Sequence, residues 1–306
     1  MTLFVTVLAL VIEQFRPLPV RRWIEEPLAR YARLLEDKFD DGQYGHGVIA
    51  WVFAVAVPAG LVQIIYLILL WAHPLTALLL GLVSLYLTMG FRQFSHYFTD
   101  IQLALRLGET DRARSLLAEW MGHNCDSLNG SEMARLSIEQ ALVSSHKHVF
   151  APLYCFALLG PGGALLYRLS QFFAKQWGER DDAVQGHFGK FSRRAFDLID
   201  WLPVRLTATG FAVVGDFEDA VYCWRTQADQ WPDKASGILL SSGAGAMGIS
   251  LGLPLHGDLD VEDRPELGTG DAGDVDHMQS TIGLVWRTLV LGLLVLALFW
   301  VASWVG

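Results

Sequence analysis

The sequence predicts an all-α, polytopic integral membrane protein with about four or five membrane segments and amphipathic interfacial helices. Of its 306 residues, 52% are apolar and only 18% are charged, more apolar than an ordinary soluble domain. Val48 to Trp71 is uncharged throughout and long enough to cross about 30 Å of hydrocarbon. The 11 tryptophans and 17 phenylalanines suit side chains that settle at a bilayer interface.

Composition also excludes. A net charge of −9 leaves no basic face, so nucleic acid is not a partner. Cys125, Cys155 and Cys223 are far apart and form no CxxC pair. Neither a zinc site nor a disulfide framework is expected, and buried free thiols are.

In chain order, residues 1–47 hold a partial membrane helix and an amphipathic helix. Met1 to Ile12 is too short to span, and Glu13-Gln14-Phe15 lacks a signal-peptide cleavage site. In Arg16 to Asp41, Leu28, Tyr31, Leu34 and Leu35 share one face of a surface-lying helix. Residues 48–90 form a transmembrane hairpin that turns at His73-Pro74 into the shorter run Leu75 to Gly90. His73 reads as an interfacial residue.

Residues 91–148 read as an interfacial helical layer, with Leu103, Leu107, Leu116, Leu117 and Trp120 at helical spacing. Gly122 to Gly130 has turn chemistry. His146 and His148, two apart, point to different sides of a helix and make no metal pair. Residues 149–255 hold broken membrane segments and a polar cluster. Val149 to Tyr167 is apolar but interrupted at Gly160 to Gly163, which calls for protein or a water-filled cavity around the freed backbone groups. Trp201 to Phe217 is a further membrane candidate.

The small residues Gly243, Gly245 and Gly248 lack the lysine of a phosphate loop. They read as a close-packing face, with a homodimer through it as one use. Residues 256–283 contain an acidic loop, exposed and flexible from His256 to His277, and 284–306 a final spanning helix. Positive-inside counting places Arg16 to Lys38 and Phe91 to Lys147 on the cytoplasmic side of a bacterial-type inner membrane. The Arg168 to Arg194 segment wants the same side, which favours a re-entrant Val149 to Tyr167.

The polar cluster centres on Gly189 to Leu206, which carries Arg193, Arg194, Asp197, Asp200 and Arg205 beside Pro203. Asp197 lies three and four residues beyond Arg194 and Arg193, within pairing reach on a helix. Pro203 is expected to kink or restart that helix. Arg194, Asp197 and Arg205 are expected to join Arg168 and Glu139 beside the break at Gly160. Asp197→Ala should then destabilise more than Asp181→Ala in an outer loop. The arginines could grip membrane lipid phosphates or bind an anionic small molecule, and both readings stay open here.

The order of these pieces resembles the CbiB (also CobD) family of cobalamin-biosynthesis membrane proteins and its relative AmpE. Pro17-Leu18-Pro19-Val20 is similar to that family's Pro-His-Pro-Val, and Ala151-Pro152-Leu153 with Gly163 to Arg168 to its core. Leu202-Pro203-Val204-Arg205-Leu206-Thr207 resembles Ile-Pro-Ala-Arg-Leu-Thr, and Ala244 to Gly248 resembles Ala-Gly-Ala-Leu-Gly. The opening MTLFVTVLALVIEQ and Asp200 to Arg205 look like AmpE.

The resemblance implies an adenosylcobinamide-phosphate synthase, joining a carboxyl of adenosylcobyric acid to an amino-alcohol phosphate with ATP and Mg²⁺. On that reading Glu139 and Asp197 hold the metal, and Arg168, Arg194 and Arg205 bind phosphate. Several family polar positions are occupied otherwise: Val143, Ser144, Lys147, Gln171, Phe172, Ala174, Phe196, Ala235, Leu240 and Ser250. The lost carboxylates and amides lead us to expect a member without ligase activity, a pseudoenzyme in an AmpE-like sensing or regulatory role. The alternative is the working synthase, or a ligase acting on a related carboxylate.

Overall fold

The computed structural model describes residues 2–15, 24–40, 43–178, 187–255 and 264–305. Pro17 to Val20, Asp181 and residues 256–263 of the acidic loop lie outside the described residues. The chain divides into two units: Met1–Gly90 with Ala151–Pro203, and Phe91–Phe150 with Val204–Gly306.

The first unit begins with α1 (Thr2–Phe15) and α2 (Glu26–Phe39). Helix α2 is amphipathic, but its inward stripe is Ala32 and Leu35 with the partly buried Leu28. Tyr31 and Leu34, expected on that face, are exposed, Leu34 to 60%. Ala32 lets the helix lie close on Ala50, Ala54, Phe173 and Trp177, and Leu34 is rotated away.

Next come α3 (Tyr44–Trp51) and α4 (Val57–Ala72), joined without a break by a π-helical turn at Val52–Ala56. Pro58 explains the wide turn. It lacks an N–H and would clash with the carbonyl four residues earlier, and in the turn Val57 N–H reaches back to Val52 C=O instead. Together they form one apolar helix of 29 residues, Tyr44–Ala72, long enough to cross a membrane. Its small residues Ala50, Ala54 and Ala59 are buried, while Phe53, Leu61, Ile64, Ile68 and Trp71 are exposed.

His73 is extended, Pro74 starts α5 (Pro74–Thr88), and Thr76 Oγ1 donates to His73 C=O at 2.8 Å, so the expected hairpin is present. Helix α5 is apolar but has only 15 residues, about 22 Å of rise.

The break in the next apolar run separates α9 (Ala151–Leu159) from α10 (Pro161–Gly178). Gly160 makes the turn at φ +75°. Gly162 N–H donates to Gln63 Oε1 at 3.1 Å, so a side chain of the long helix answers one backbone group that the break frees. A Cβ on Gly162 would stand 2.6 Å from Gln63 Cβ and 2.7 Å from Ala59 O, which is why a glycine sits there.

Helix α11 (Lys190–Val214) contributes residues to both units. It continues unbroken through Pro203, so the helix does not restart there. Nor is Trp201 to Phe217 among the helices long and apolar enough to span. It comprises the end of α11, where Thr207, Ala208 and Phe211 are buried, and a break at Gly215-Asp216 before the next helix.

The second unit is built around α8 (Gly130–Ser145), which lies against α6 (Phe91–Arg106), α7 (Thr110–Met121), α13 (Lys234–Met247) and α14 (Val275–Val305). Asn129 caps α8 through a reciprocal pair of bonds with Glu132, each 2.9 Å. Nearly every side chain of α8 is buried. The amphipathic-layer reading therefore fails for α8, which is a core helix with neighbours on all sides. His146 is also buried and shares a 2.9 Å hydrogen bond with Thr207 Oγ1 through Nδ1.

Helix α12 (Phe217–Gln227) packs on α13. Gly245 lies against the backbone of Asp219 and Ala220, so the small-residue face is used inside the chain. The structure is helical apart from a three-stranded sheet ordered β2-β1-β3: β1 (Ile249–Leu251), β2 (Leu267–Gly268) and β3 (Asp271–Ala272). Strand β2 pairs antiparallel and β3 parallel to β1. The described part of the acidic loop is thus structured, because Leu267 is buried and Gln227 bonds both backbone groups of Gly268, at 2.6 and 3.1 Å.

Helix α14 includes the second candidate span, Val275–Ala302, of 28 residues. Its Arg287 is accommodated by carbonyls, with Nε 3.1 Å from Gly283 O and Nη1 3.1 Å from Val214 O. All three cysteines are free and buried, as expected.

Candidate functional site

A buried polar cluster of the second unit forms where the chain leaves β1. Gly252 and Leu253 both take left-handed backbone angles, φ +75° and +63°. For leucine that conformation costs about 1–2 kcal/mol, so surrounding bonds must hold it. Gly252 N–H donates to Glu139 Oε1 at 2.9 Å. Arg264 Nε donates to Leu253 C=O at 3.3 Å, and Arg135 Nη2 to Pro254 C=O at 3.2 Å. Arg264 Nη2 also reaches both oxygens of Glu139, at 2.9 and 2.7 Å, and its guanidinium lies 5.4 Å from the centre of the Trp231 ring.

Arg135 and Glu139 are one turn apart on α8, which aims both at this turn. Glu139 is 6% and Arg135 5% exposed. Burial lowers the Arg135 pKa from its ordinary value; Glu139 opposes that shift and Arg264 adds to it. Beside them Ser250 Oγ lies 2.7 Å from Glu266 Oε1 and 3.0 Å from Gly270 O. The arrangement presents two guanidinium groups on a strained turn, one paired with Glu139 and the other also under the charge of Glu132, and guanidinium forks suit anionic oxygens.

In the first unit, Tyr167 Oη donates to Asp200 Oδ1 at 3.1 Å, with both residues buried. Arg168 follows Tyr167 on α10. Its Nη1 donates to Gln171 Oε1 at 2.7 Å, and its Nη2 is 3.9 Å from Glu25 Oε1.

The sequence-predicted residues fall in both units. Arg168, Arg194 and Asp197 belong to the first, and Glu139 and Arg205 to the second. Arg194 and Asp197 are exposed on α11, and Arg205 is half-buried there. Of the two roles the sequence left to Glu139, metal ligand or pairing carboxylate, its bonds here are those of a pairing carboxylate: both oxygens meet Arg264, and Oε1 also accepts from Gly252 N–H. Among the described residues no group of three His, Cys, Asp or Glu is arranged to hold a metal.

Sequence reasoning missed Arg135, Arg264, Trp231 and the Tyr167–Asp200 bond. Two signals were there: Arg135 at i−4 to Glu139, and Arg264 as the lone cation among acids in DLDVEDRPEL.

The family model described as CobD/Cbib protein matches residues 6–285. This chain belongs to the CobD/CbiB family. Over 306 residues it is 34% identical to the "Cobalamin biosynthesis protein CobD" of Stutzerimonas stutzeri, covering 97% of each chain. It is 33% identical over 216 residues to the protein of that name from Chromobacterium violaceum, covering 70% of this chain and 68% of the other. With "Cobalamin biosynthesis protein CbiB" of Salmonella paratyphi A, identity is 25% over 299 residues, covering 93% and 92%. No solved structure matches the chain.

These relatives overturn the reading of a regulatory pseudoenzyme without ligase activity, and with it the leaning toward a non-enzyme. Every relative named above bears a cobalamin-biosynthesis name, one of them similar from end to end. The error was to equate particular carboxylate positions with the chemistry. Glu139, read as a metal or pairing carboxylate, pairs with Arg264.

Proposed function

We propose that this CobD/CbiB-family chain is an adenosylcobinamide-phosphate synthase of cobalamin biosynthesis. It forms an amide between a carboxyl group of adenosylcobyric acid and the amine of an amino-alcohol phosphate. One observation carries the reading: 34% identity across 97% of a relative named for cobalamin biosynthesis. A C–N bond replaces a C–O bond of the carboxyl, with a nucleoside triphosphate as the activating co-reactant. Both substrates are anionic, and buried arginines stabilise such charge as a bond rearranges.

The enzyme is placed in a bacterial inner membrane. Tyr44–Ala72 and Val275–Ala302 are long and apolar enough to cross it, and on this reading α1, α5 and the broken α9–α10 pair bring the segments to about five. Lipid then covers the exposed apolar side chains of α4, α5 and α14. The test is genetic. In a bacterium whose own synthase gene is deleted, expression of this chain should restore growth that depends on cobalamin made from cobyric acid. Membrane-inserted chain without such growth would count against the reading.

A further inference from the structure

Arg135 is 5% exposed, and its Nε–H has no hydrogen-bond partner among the described residues. A buried donor left unmatched is costly, and on a cation more so. Its Nη2 is committed to Pro254 C=O. The neighbouring carboxylates are committed too: Glu139 to Arg264 and Gly252, and Glu132 to the cap at Asn129. At the turn the Arg135 and Arg264 guanidinium groups thus stand together, with the charges of Glu139 and Glu132 acting on Arg135, while its Nε–H stays unmatched. The turn itself is strained at Leu253, and strain of this kind is kept where surrounding structure over-determines a geometry, often at ligand sites.

We infer that Arg135, with Arg264 beside it, receives a phosphoryl oxygen of a phosphate-ester ligand at the turn Gly252-Leu253-Pro254. Arg135 Nε–H is the donor, and Arg264 is fixed by Glu139 so that its charge stays at the site. Naming the ligand as the amino-alcohol phosphate rests on the proposed synthase reaction; recognition of a phosphoryl group does not. The guanidinium fork suits this role because it offers parallel N–H groups to two oxygens, which a lysine cannot.

The test uses the full chain in lipid nanodiscs, with O-phosphoethanolamine and a non-hydrolysable ATP analogue as probes. Calorimetry should show phosphoethanolamine binding that weakens at least tenfold in Arg135→Lys and is unchanged in Arg112→Lys, an exposed control on α7. If the ATP analogue alone shows that loss, the phosphoryl group belongs to the nucleotide and the site stands. Equal affinities of wild type and Arg135→Lys for both probes would overturn the inference. Should Arg135→Lys fail to fold, wild-type melting decides: no rise in melting temperature with either probe at millimolar concentration overturns it.

Turnover separates this inference from the proposed reaction. Synthase activity with an unchanged KM for the amino-alcohol phosphate in Arg135→Lys sinks the site and spares the reaction. Phosphoryl binding lost in Arg135→Lys, without any turnover by the wild type, does the reverse.

Discussion

Arg264 Nη2 lies 2.9 and 2.7 Å from the two carboxylate oxygens of Glu139, 125 residues away in sequence. This pair ties the segment after β1 to the central helix of its unit. Because both partners are largely buried, removing one leaves an uncompensated charge, which commonly costs about 3–5 kcal/mol. Glu139→Ala should cost about that much in denaturant unfolding, and Glu139→Gln less, since the amide oxygen still accepts. Equal, negligible losses would show that the pair is an ornament of the surface.

The interruption at Gly160 is a packing feature. Gly162→Val would press a side chain onto Ala59 O and Gln63 Cβ, both under 3 Å from the added Cβ. Overpacking of this kind costs about 1–3 kcal/mol. Gly45→Ala, with nothing within 4 Å, should stay within about 0.5 kcal/mol for want of any such clash. Melting temperatures of the two variants in one detergent make the comparison.

Tyr167 and Asp200 join α10 to α11 inside the first unit. Tyr167→Phe keeps the ring and removes the donor, so the expected loss is about 1–3 kcal/mol for a buried acceptor. A variant as stable as the wild type in chemical denaturation would contradict the bond.

Exposed apolar side chains on Tyr44–Ala72 and Val275–Ala302 should face lipid. Cysteines introduced at Leu61 and Val290, both exposed, should resist a membrane-impermeant maleimide in intact vesicles. Each should react after detergent solubilisation. Labelling before detergent would remove the spanning assignment.

Long-period features were legible in the sequence. The uncharged run at Val48 to Trp71, the turn at His73-Pro74 and the break at Gly160 are local, and the helix, the turn and the break are all present. What was not legible depends on distant partners. The same charged pattern on α11 suits a membrane helix that restarts at Pro203 or one continuous helix half-buried in protein, and only neighbours decide. The small-residue run at Gly243 shows that close packing occurs, not with what, and the partners are Leu142 and α12. Glu139 was legible as a metal or pairing carboxylate, but its partner was not, because Arg264 sits in an acidic stretch that looks unstructured.

The most direct test of the account is product formation by the purified chain. In nanodiscs with adenosylcobyric acid, an amino-alcohol phosphate, ATP and Mg²⁺, mass spectrometry should detect adenosylcobinamide phosphate, and Glu139→Ala should abolish it. A folded wild-type chain that binds both substrates yet forms no amide would contradict the account.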